Sequence, residues 1–230
     1  MNTQHTFAAF PLQPPMKPHI TVTNTRPEHV RALAALQPIA FPNLDPDELL
    51  REEHYLRHLR IFPEGQFVAL NEQGVPVGAT TTFRTSFNFA FPHHTFIEAV
   101  DHGWLSNHEP DGDWLYGADM NIHPAYRGAG IAKMLYGART ALVEKLNLRG
   151  QLAGGYLPGY KKYADRMNAH AYCLKVVRGE LSDPTLSAQL KVGYKYMGII
   201  EDYYESDDPA ERIAALIVKD NHRYVGRPAA

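Results

Sequence analysis

The stretch that decides the fold runs from Asp119 to Leu135 and reads DMNIHPAYRGAGIAKML. An apolar strand pattern reaches Pro124, a turn carries Gly128 and Gly130, and an amphipathic helix pattern begins at Ile131. Such a turn leaves main-chain N–H groups unpaired at a helix N-terminus, where the helix dipole also favours negative charge. Because glycine has no side chain, phosphate oxygens can approach those N–H groups closely. The segment therefore predicts a site for a phosphorylated cofactor.

The turn resembles the pyrophosphate-binding motif of the GNAT superfamily of acyl-CoA-dependent N-acyltransferases. That motif reads Gln or Arg, two variable residues, Gly, one variable residue, then Gly or Ala, and RGAGIA at Arg127–Ala132 matches every defined position. The context also fits, because the strand ends in Ile122-His123-Pro124 and an aromatic residue, Tyr126, precedes the arginine. The Walker and dinucleotide motifs fit worse, since no Gly-Lys-Ser/Thr is spaced correctly and Lys133 stands where a third glycine should be.

The resemblance implies a site for acetyl-CoA as cosubstrate. In the family, the fourth strand splays from the fifth, and its free main-chain groups pair with the pantetheine arm. The amides of the glycine turn hold the pyrophosphate. On this sequence, the expected cofactor-binding residues are Met120, Ile122, Arg127, Gly128, Ala129, Gly130, Ile131 and Ala132.

Composition narrows the function classes. The net charge of −2 and a pI of about 6.6 lack the basic character of nucleic-acid-binding proteins. No apolar run is long enough to span a membrane, and no histidine spacing resembles a zinc site. The single cysteine, Cys173, is compatible with a reducing compartment. We therefore expect a cytoplasmic protein without metal, nucleic-acid or membrane partners, whose assembly as a homodimer stays open.

The order of predicted elements over residues 19–220 is strand, two helices, three strands, helix, strand, helical segment and two strands. Pro38 is expected to end the first helix, and the second is expected to open at residues 45–48 with Leu56 facing inward. The order matches the GNAT fold. It predicts a single α/β domain with a mixed, mostly antiparallel sheet, splayed between the fourth and fifth strands and flanked by helices. Residues 1–18 are expected to be a disordered or loosely docked tail, and residues 221–230 a C-terminal tail.

A second family signature departs from its pattern. It usually reads Asn, two residues, Ala, three residues, Tyr, one residue, Lys, one residue, Gly, then Phe or Tyr. Its end matches Lys191, Gly193 and Tyr194. Gln189 stands where the family usually has the tyrosine proposed to protonate the departing thiolate, and an amide has no useful acidity. Another tyrosine or solvent would have to replace it.

The catalytic candidates surround the expected acyl site. Asp119 is the only acid inside the fourth strand, and an acid there needs a partner or a cleft. Tyr116 lies on the same strand, and strict alternation would put the two side chains on opposite faces. Glu98 belongs to the preceding loop, residues 88–112, whose carboxylates would attract a protonated amine if the loop lines the site. A water chain could also serve, so no base is assigned.

Three functions remain open. The chain is expected to transfer an acetyl group from acetyl-CoA to a primary amine of a small molecule, peptide or protein by direct attack. The alternatives are a regulatory acyl-CoA-binding module without catalysis and an acyltransferase for longer acyl chains. The glycine-rich segment at residues 154–163 is interpreted as either a substrate lid or a linker.

Overall fold

Seven strands form one mixed sheet in the computed structural model, which describes residues 18–226. The sheet order is β1-β2-β3-β4-β5-β7-β6, with only the β4–β5 pair parallel among the described strands. This confirms the predicted fold class. The strands are β1 Thr21–Asn24, β2 Phe67–Leu70, β3 Pro76–Thr85, β4 Trp114–Ile122, β5 Gly150–Tyr156, β6 Lys195–Ile200 and β7 Ala214–Asp220.

Six α-helices connect and cover the strands within the described residues. They are α1 Val30–Ala40, α2 Glu52–Ile61, α3 Phe96–Val100, α4 Ile131–Lys145, α5 Ala169–Val177 and α6 Leu186–Lys191. The predicted N-terminal tail lies outside the described residues except for Pro18, and so do residues 227–230 of the predicted C-terminal tail.

Two predictions about the first helices were wrong. Pro38 does not end α1, which continues to Ala40, because proline in the last turn removes only one hydrogen bond there. The second helix begins at Glu52 and not at residues 45–48, and Leu56 is 39% exposed. The side chains of His54, Tyr55 and His58 are buried in its place.

The inward-facing histidines have polar partners. The ring of His58 donates through Nε2 to Gly103 O at 2.6 Å, and His54 packs edge-on against Trp104. Burial lowers the pKa of His58 to about 4, so its ring is neutral at physiological pH. A helix face that buries polar aromatic side chains is invisible to a count of aliphatic residues.

The parallel strands β4 and β5 separate after three residue pairs. Trp114–Tyr116 pair with Gly150–Leu152, and no later pair joins them. From there β4 continues to Ile122 against β3 alone, and β5 continues to Tyr156 against β7 alone. The predicted splay between the fourth and fifth strands is therefore present, with one open main-chain edge on each strand.

A β-bulge at Ala118 changes which residues of β4 share a face. Thr81 pairs with Asp119 and Thr82 with Gly117, so Ala118 has no opposite residue. On β3, Thr81 and Phe83 lie on one face, and their partners are Asp119 and Tyr116. The expectation that these two side chains lie on opposite faces was therefore wrong, because the extra residue shifts the alternation by one.

Helices cover the two faces of the sheet. Tyr116 and Phe83 pack in a cluster with Phe96 and Val100 of α3. The opposite face packs against Ile131 and other apolar residues of α4. Burying a large aliphatic side chain of this kind contributes about 1.5–3 kcal/mol, so both layers hold the splayed strands in place.

Candidate active site

The turn before α4 presents free amides to open space. Gly128 and Gly130 have φ angles of 81° and 86°, in the left-handed region that other residues rarely adopt. A Cβ added to either glycine would meet no atom within 4 Å. The amides of Gly128, Gly130, Ile131 and Ala132 have no hydrogen-bond acceptor among residues 18–226. The cradle thus fits a pyrophosphate: it has free donors, the N-terminal dipole of α4 and no side chain in the way.

The rest of the turn is braced by its own bonds. The amides of Arg127 and Ala129 donate to the carbonyls of Pro124 and Tyr126 at 3.2 and 3.3 Å. The guanidinium of Arg127 donates to Ala40 O at the end of α1, at 3.0 Å. These bonds fix the turn against α1 and leave the glycine amides pointing outward.

Met120 and Ile122 present their main chain, and not their side chains, to the splay. The His123 amide donates to Val77 O of β3 at 2.9 Å. Because main-chain groups alternate between the two sides of a strand, those of Met120 and Ile122 face away from β3, toward the open edge. Both side chains pack against the apolar cluster on the α4 face.

Arg139 of α4 lies under the bulge. Its guanidinium donates to Asp119 O at 2.8 Å and to the Thr80 hydroxyl. A Cβ at Gly117 would overlap this guanidinium, so the glycine makes room for it. The side chain is 2% exposed, and it ties the displaced segment of β4 to the helix that carries the glycine turn.

The Asp119 carboxylate is partly buried and held by two amides. Its Oδ2 accepts from Gln37 Nε2 and from Asn121 Nδ2, both at 2.9 Å. The same Gln37 amide donates to the Tyr55 hydroxyl at 2.7 Å, which links the group to α1 and α2. Burial raises the pKa of Asp119 to about 6, and the two amide bonds limit the rise. This carboxylate can therefore accept a proton near neutral pH.

The Tyr116 hydroxyl lies in a relay of hydrogen bonds. His94 Nδ1 is 2.7 Å from Pro92 O, which can only accept, so Nδ1 carries the proton and neutral Nε2 accepts from Tyr116 at 2.6 Å. The oxygen of Tyr116 then accepts from the Tyr203 hydroxyl at 2.9 Å. Burial raises the pKa of Tyr116 well above its usual range, so the phenol keeps its proton. Sequence reasoning did not find this relay.

Glu98 lies at the protein surface, where it caps a helix. Its carboxylate accepts from the amide and hydroxyl of Thr95 at 2.8 and 3.1 Å, and these bonds lower its pKa. It lines a cavity of about 240 Å³ together with His94 and Tyr116. The structure thus brings Glu98 and Tyr116 to one cavity, while Asp119 contacts α1 and α2 instead.

The sequence analysis missed two residues near the face of the sheet that carries Tyr116 and Asp119. Glu48, in the loop between α1 and α2, is 5% exposed, and burial raises its pKa to about 7. Burial raises the pKa of Tyr204, between β6 and β7, and the charges of Glu48 and Asp119 add to the rise. No sequence motif marks either residue, because the loops that carry them are far apart in the chain.

Gln189 and the glycine-rich segment lie on the β5 side of the gap between β4 and β5. Gln189 is 5% exposed, and the missing side chain of Gly155 on β5 leaves space for its amide. Residues 154–156 end β5, and residues 157–163 form a turn that is braced by Asp183, which accepts from the Gly159 amide at 2.9 Å. Lys161 pairs with Asp208 and Glu211, both at 2.8 Å, which ties the turn to the loop after β6.

Within residues 18–226, none of the helices is both long and apolar enough to cross a membrane. The same part of the chain holds no group of three or more His, Cys, Asp or Glu side chains that could bind a metal ion.

Comparison with known proteins identifies the family. The model of the acetyltransferase (GNAT) family matches residues 30–153, from α1 to the splayed part of β5. An uncharacterized N-acetyltransferase of Bacillus subtilis (strain 168), YkwB, is 35% identical over 190 residues, which cover 82% of this chain and 84% of the relative. These findings confirm the resemblance that the glycine turn indicates.

A second relative is longer. The protein named probable hydrolase YhcX, also from Bacillus subtilis (strain 168), is 35% identical over 206 residues. The match covers 90% of this chain but 39% of that protein. Among solved structures, a GNAT-like decarboxylase, GphF, in complex with isobutyryl-CoA is similar in fold, with a TM-score of 0.71 and 23% identity. That likeness covers 87% of this chain and 98% of GphF.

Proposed function

Because the chain belongs to the acetyltransferase (GNAT) family, whose cosubstrate is a CoA thioester, we propose that it transfers an acetyl group from acetyl-CoA to a primary amine. One observation carries the proposal: the free amides of the glycine turn lie at the end of the same strand, β4, whose edge is open toward β5. The name of the relative YkwB, an N-acetyltransferase, supports acetyl as the acyl group.

The main chain would bind the cosubstrate. The free amides of Gly128, Gly130, Ile131 and Ala132 would hold the pyrophosphate, and the main-chain groups of Met120 and Ile122 would pair with the pantetheine arm. Bound there, the thioester supplies an activated carbonyl carbon for attack by the amine. Arg127 contributes by holding the turn to Ala40.

The acceptor face, by which we mean the face of the sheet that carries Tyr116 and Asp119, would supply the proton transfers. Asp119 is the favoured base, because its carboxylate is partly buried and its pKa is about 6. Tyr116 keeps its proton and donates it in a hydrogen bond to His94, so the two side chains form one chain of hydrogen bonds at the cavity. Glu98 is the weaker candidate, since its carboxylate is exposed and occupied by Thr95.

The test of cosubstrate binding is Gly130→Asp. Its carboxylate would face the pyrophosphate, and like charges in contact cost several kcal/mol, so we expect the CoA affinity to fall on the order of a hundredfold. Gly179→Asp is the matched control, because Gly179 has a similar φ of 76° and open space around it but lies after α5. Calorimetry that shows unchanged CoA affinity in folded Gly130→Asp would refute the site.

The test of catalysis is release of the free CoA thiol with a panel of amines. An enzyme releases thiol in proportion to acylated product, whereas a regulatory acyl-CoA-binding module releases none above the rate without amine. A parallel panel of acetyl-, propionyl- and longer acyl-CoA distinguishes acetyl transfer from transfer of longer chains.

A further inference from the structure

We infer that Glu48 and the ring of Tyr204 form a binding site for the ammonium group of a cationic acceptor with an apolar body. The inference rests on the proposed function, since it names the class of amine that the acceptor face would take.

The Glu48 carboxylate lacks the partners that a structural acid would have. Its Oε1 accepts one long hydrogen bond, from the Glu205 amide at 3.4 Å. Its Oε2 is buried and has no hydrogen-bond partner among residues 18–226. No cation pairs with Glu48 in that part of the chain either. A buried, unpaired carboxylate oxygen is costly, so it indicates a ligand that supplies the missing donor.

Aromatic rings surround Tyr204, the chain neighbour of Glu205, whose amide donates to Glu48. The ring of Tyr204 contacts Tyr203 edge-on at 4.7 Å, Tyr156 edge-on at 5.6 Å and Phe96 at 5.7 Å between centroids. Tyr204 is only partly buried, and Tyr156 is 37% exposed, so this group of rings reaches solvent. Aromatic faces attract ammonium groups, and a neighbouring carboxylate adds direct charge pairing.

The loop that carries Glu48 lies next to the partners of Asp119. Residues 41–51 form neither a helix nor a strand, and the loop joins α1 to α2 beside Gln37, which holds Asp119. Burial raises the pKa of both Tyr203 and Tyr204, and the negative charge of Glu48 adds to the rise. An ammonium bound to Glu48 would thus lie on the face of the sheet that carries Asp119.

Nothing in this arrangement suits an anionic acceptor. Burial raises the pKa of Tyr204, and the negative charges of Glu48 and Asp119 add to the rise, so an anionic group there would be repelled by both. The rings of Tyr156, Tyr204 and Phe96 provide an apolar wall for the carbon chain of the acceptor. A primary alkylamine or arylalkylamine fits this combination.

The experiment compares amines with alcohols of the same shape. Calorimetry on the full chain, with and without saturating CoA, measures binding of phenethylamine against 2-phenylethanol and of n-butylamine against n-butanol. We expect the ammonium compounds to bind at least about tenfold more tightly than the alcohols, since a charge-assisted hydrogen bond is lost in the alcohol.

The decisive variant is Glu48→Gln, which keeps the size of the side chain and removes its charge. We expect the amine dissociation constant to rise at least about tenfold, with alcohol and CoA binding unchanged. The control is Asp47→Asn, the neighbouring exposed acid that pairs with Arg51, which should leave amine binding unchanged. Circular dichroism establishes that both variants are folded.

Two outcomes would overturn the inference. One is wild-type protein that prefers no ammonium compound over its alcohol; the other is a Glu48→Gln variant that binds amines as tightly as the wild type. Neither outcome bears on CoA binding, whereas failure of the proposed function would appear as absent CoA binding or as CoA binding without thiol release for any amine.

Discussion

Glu48→Gln should stabilise the protein at alkaline pH. Burial raises the pKa of Glu48 from 4.5 to about 7, so the folded protein holds this proton more tightly than the unfolded chain. Stability contributed by the protonated form is therefore lost as the pH rises from about 4.5 to about 7. The difference between the two pKa values corresponds to about 3 kcal/mol of unfolding free energy. Glutamine has no such proton to lose, so the variant should gain up to that amount above pH 7.

Urea denaturation at pH 5 and pH 8 measures this free energy in both proteins. The wild type should lose stability between the two pH values, and Glu48→Gln should lose less. The unfolding free energy of the variant should still depend on pH to some extent, because burial also raises the pKa of Asp119, to about 6, and this has the same sign. Asp47→Asn is the control and should follow the wild type, because its carboxylate is exposed beside Arg51.

The reasoning fails if Glu48→Gln is less stable than the wild type at pH 8, or if both proteins lose equal stability between pH 5 and 8. Either result would mean that the ionised carboxylate has a stabilising partner in the folded protein. A stabilised variant that also binds amines poorly would instead match the usual trade-off, in which a binding site keeps a group that costs stability.

Three further outcomes are expected. Asp119→Asn should abolish a rise of kcat/KM through about pH 6, the pKa of this carboxylate, and an unchanged pH–rate profile would remove Asp119 as the base. Gln189→Ala should keep turnover within about threefold, because a neutral amide is no proton donor; a thousandfold loss in a folded variant would refute this. Asp183→Ala should lower the free energy of unfolding, measured by urea denaturation, by about 3 kcal/mol or more. The reason is that this carboxylate accepts hydrogen bonds from Gly159, Tyr172, Thr185 and Leu186. A loss below about 1 kcal/mol would contradict its structural role.

Elements with local signals were predicted well. The helix over residues 169–177, in the predicted helical segment, has a local start signal, since Asn168 caps it by accepting a bond from the Ala171 amide. The short helix at 96–100 also has a local start signal, because its cap residue Thr95 and Glu98 form a capping box. The glycine turn was identified for the same reason: a few neighbouring residues determine its conformation.

The features that the sequence analysis missed share a physical cause: each depends on contacts between segments that are distant in the chain. His58 can be buried because the Gly103 carbonyl, 45 residues away, accepts a hydrogen bond from its ring. Glu48 is buried beside Glu205, which is 157 residues away in the chain. A single sequence records neither contact, and the residues involved look like ordinary polar positions of a helix or a loop.

The bulge at Ala118 lets a single strand carry both the candidate base and the main-chain groups that are expected to bind the cosubstrate. Without it, alternation would turn Asp119 toward α4, while Tyr116 stayed on the face that carries α3. With it, Asp119 lies on the same face as Tyr116, and the main-chain groups of Met120 and Ile122 still face the open edge. The bulge thus places a candidate base on one side of the strand and the expected thioester contacts along its edge. Arg139 holds this geometry through the Asp119 carbonyl, so the positions of the candidate base and of the proposed cosubstrate site depend on the same helix, α4.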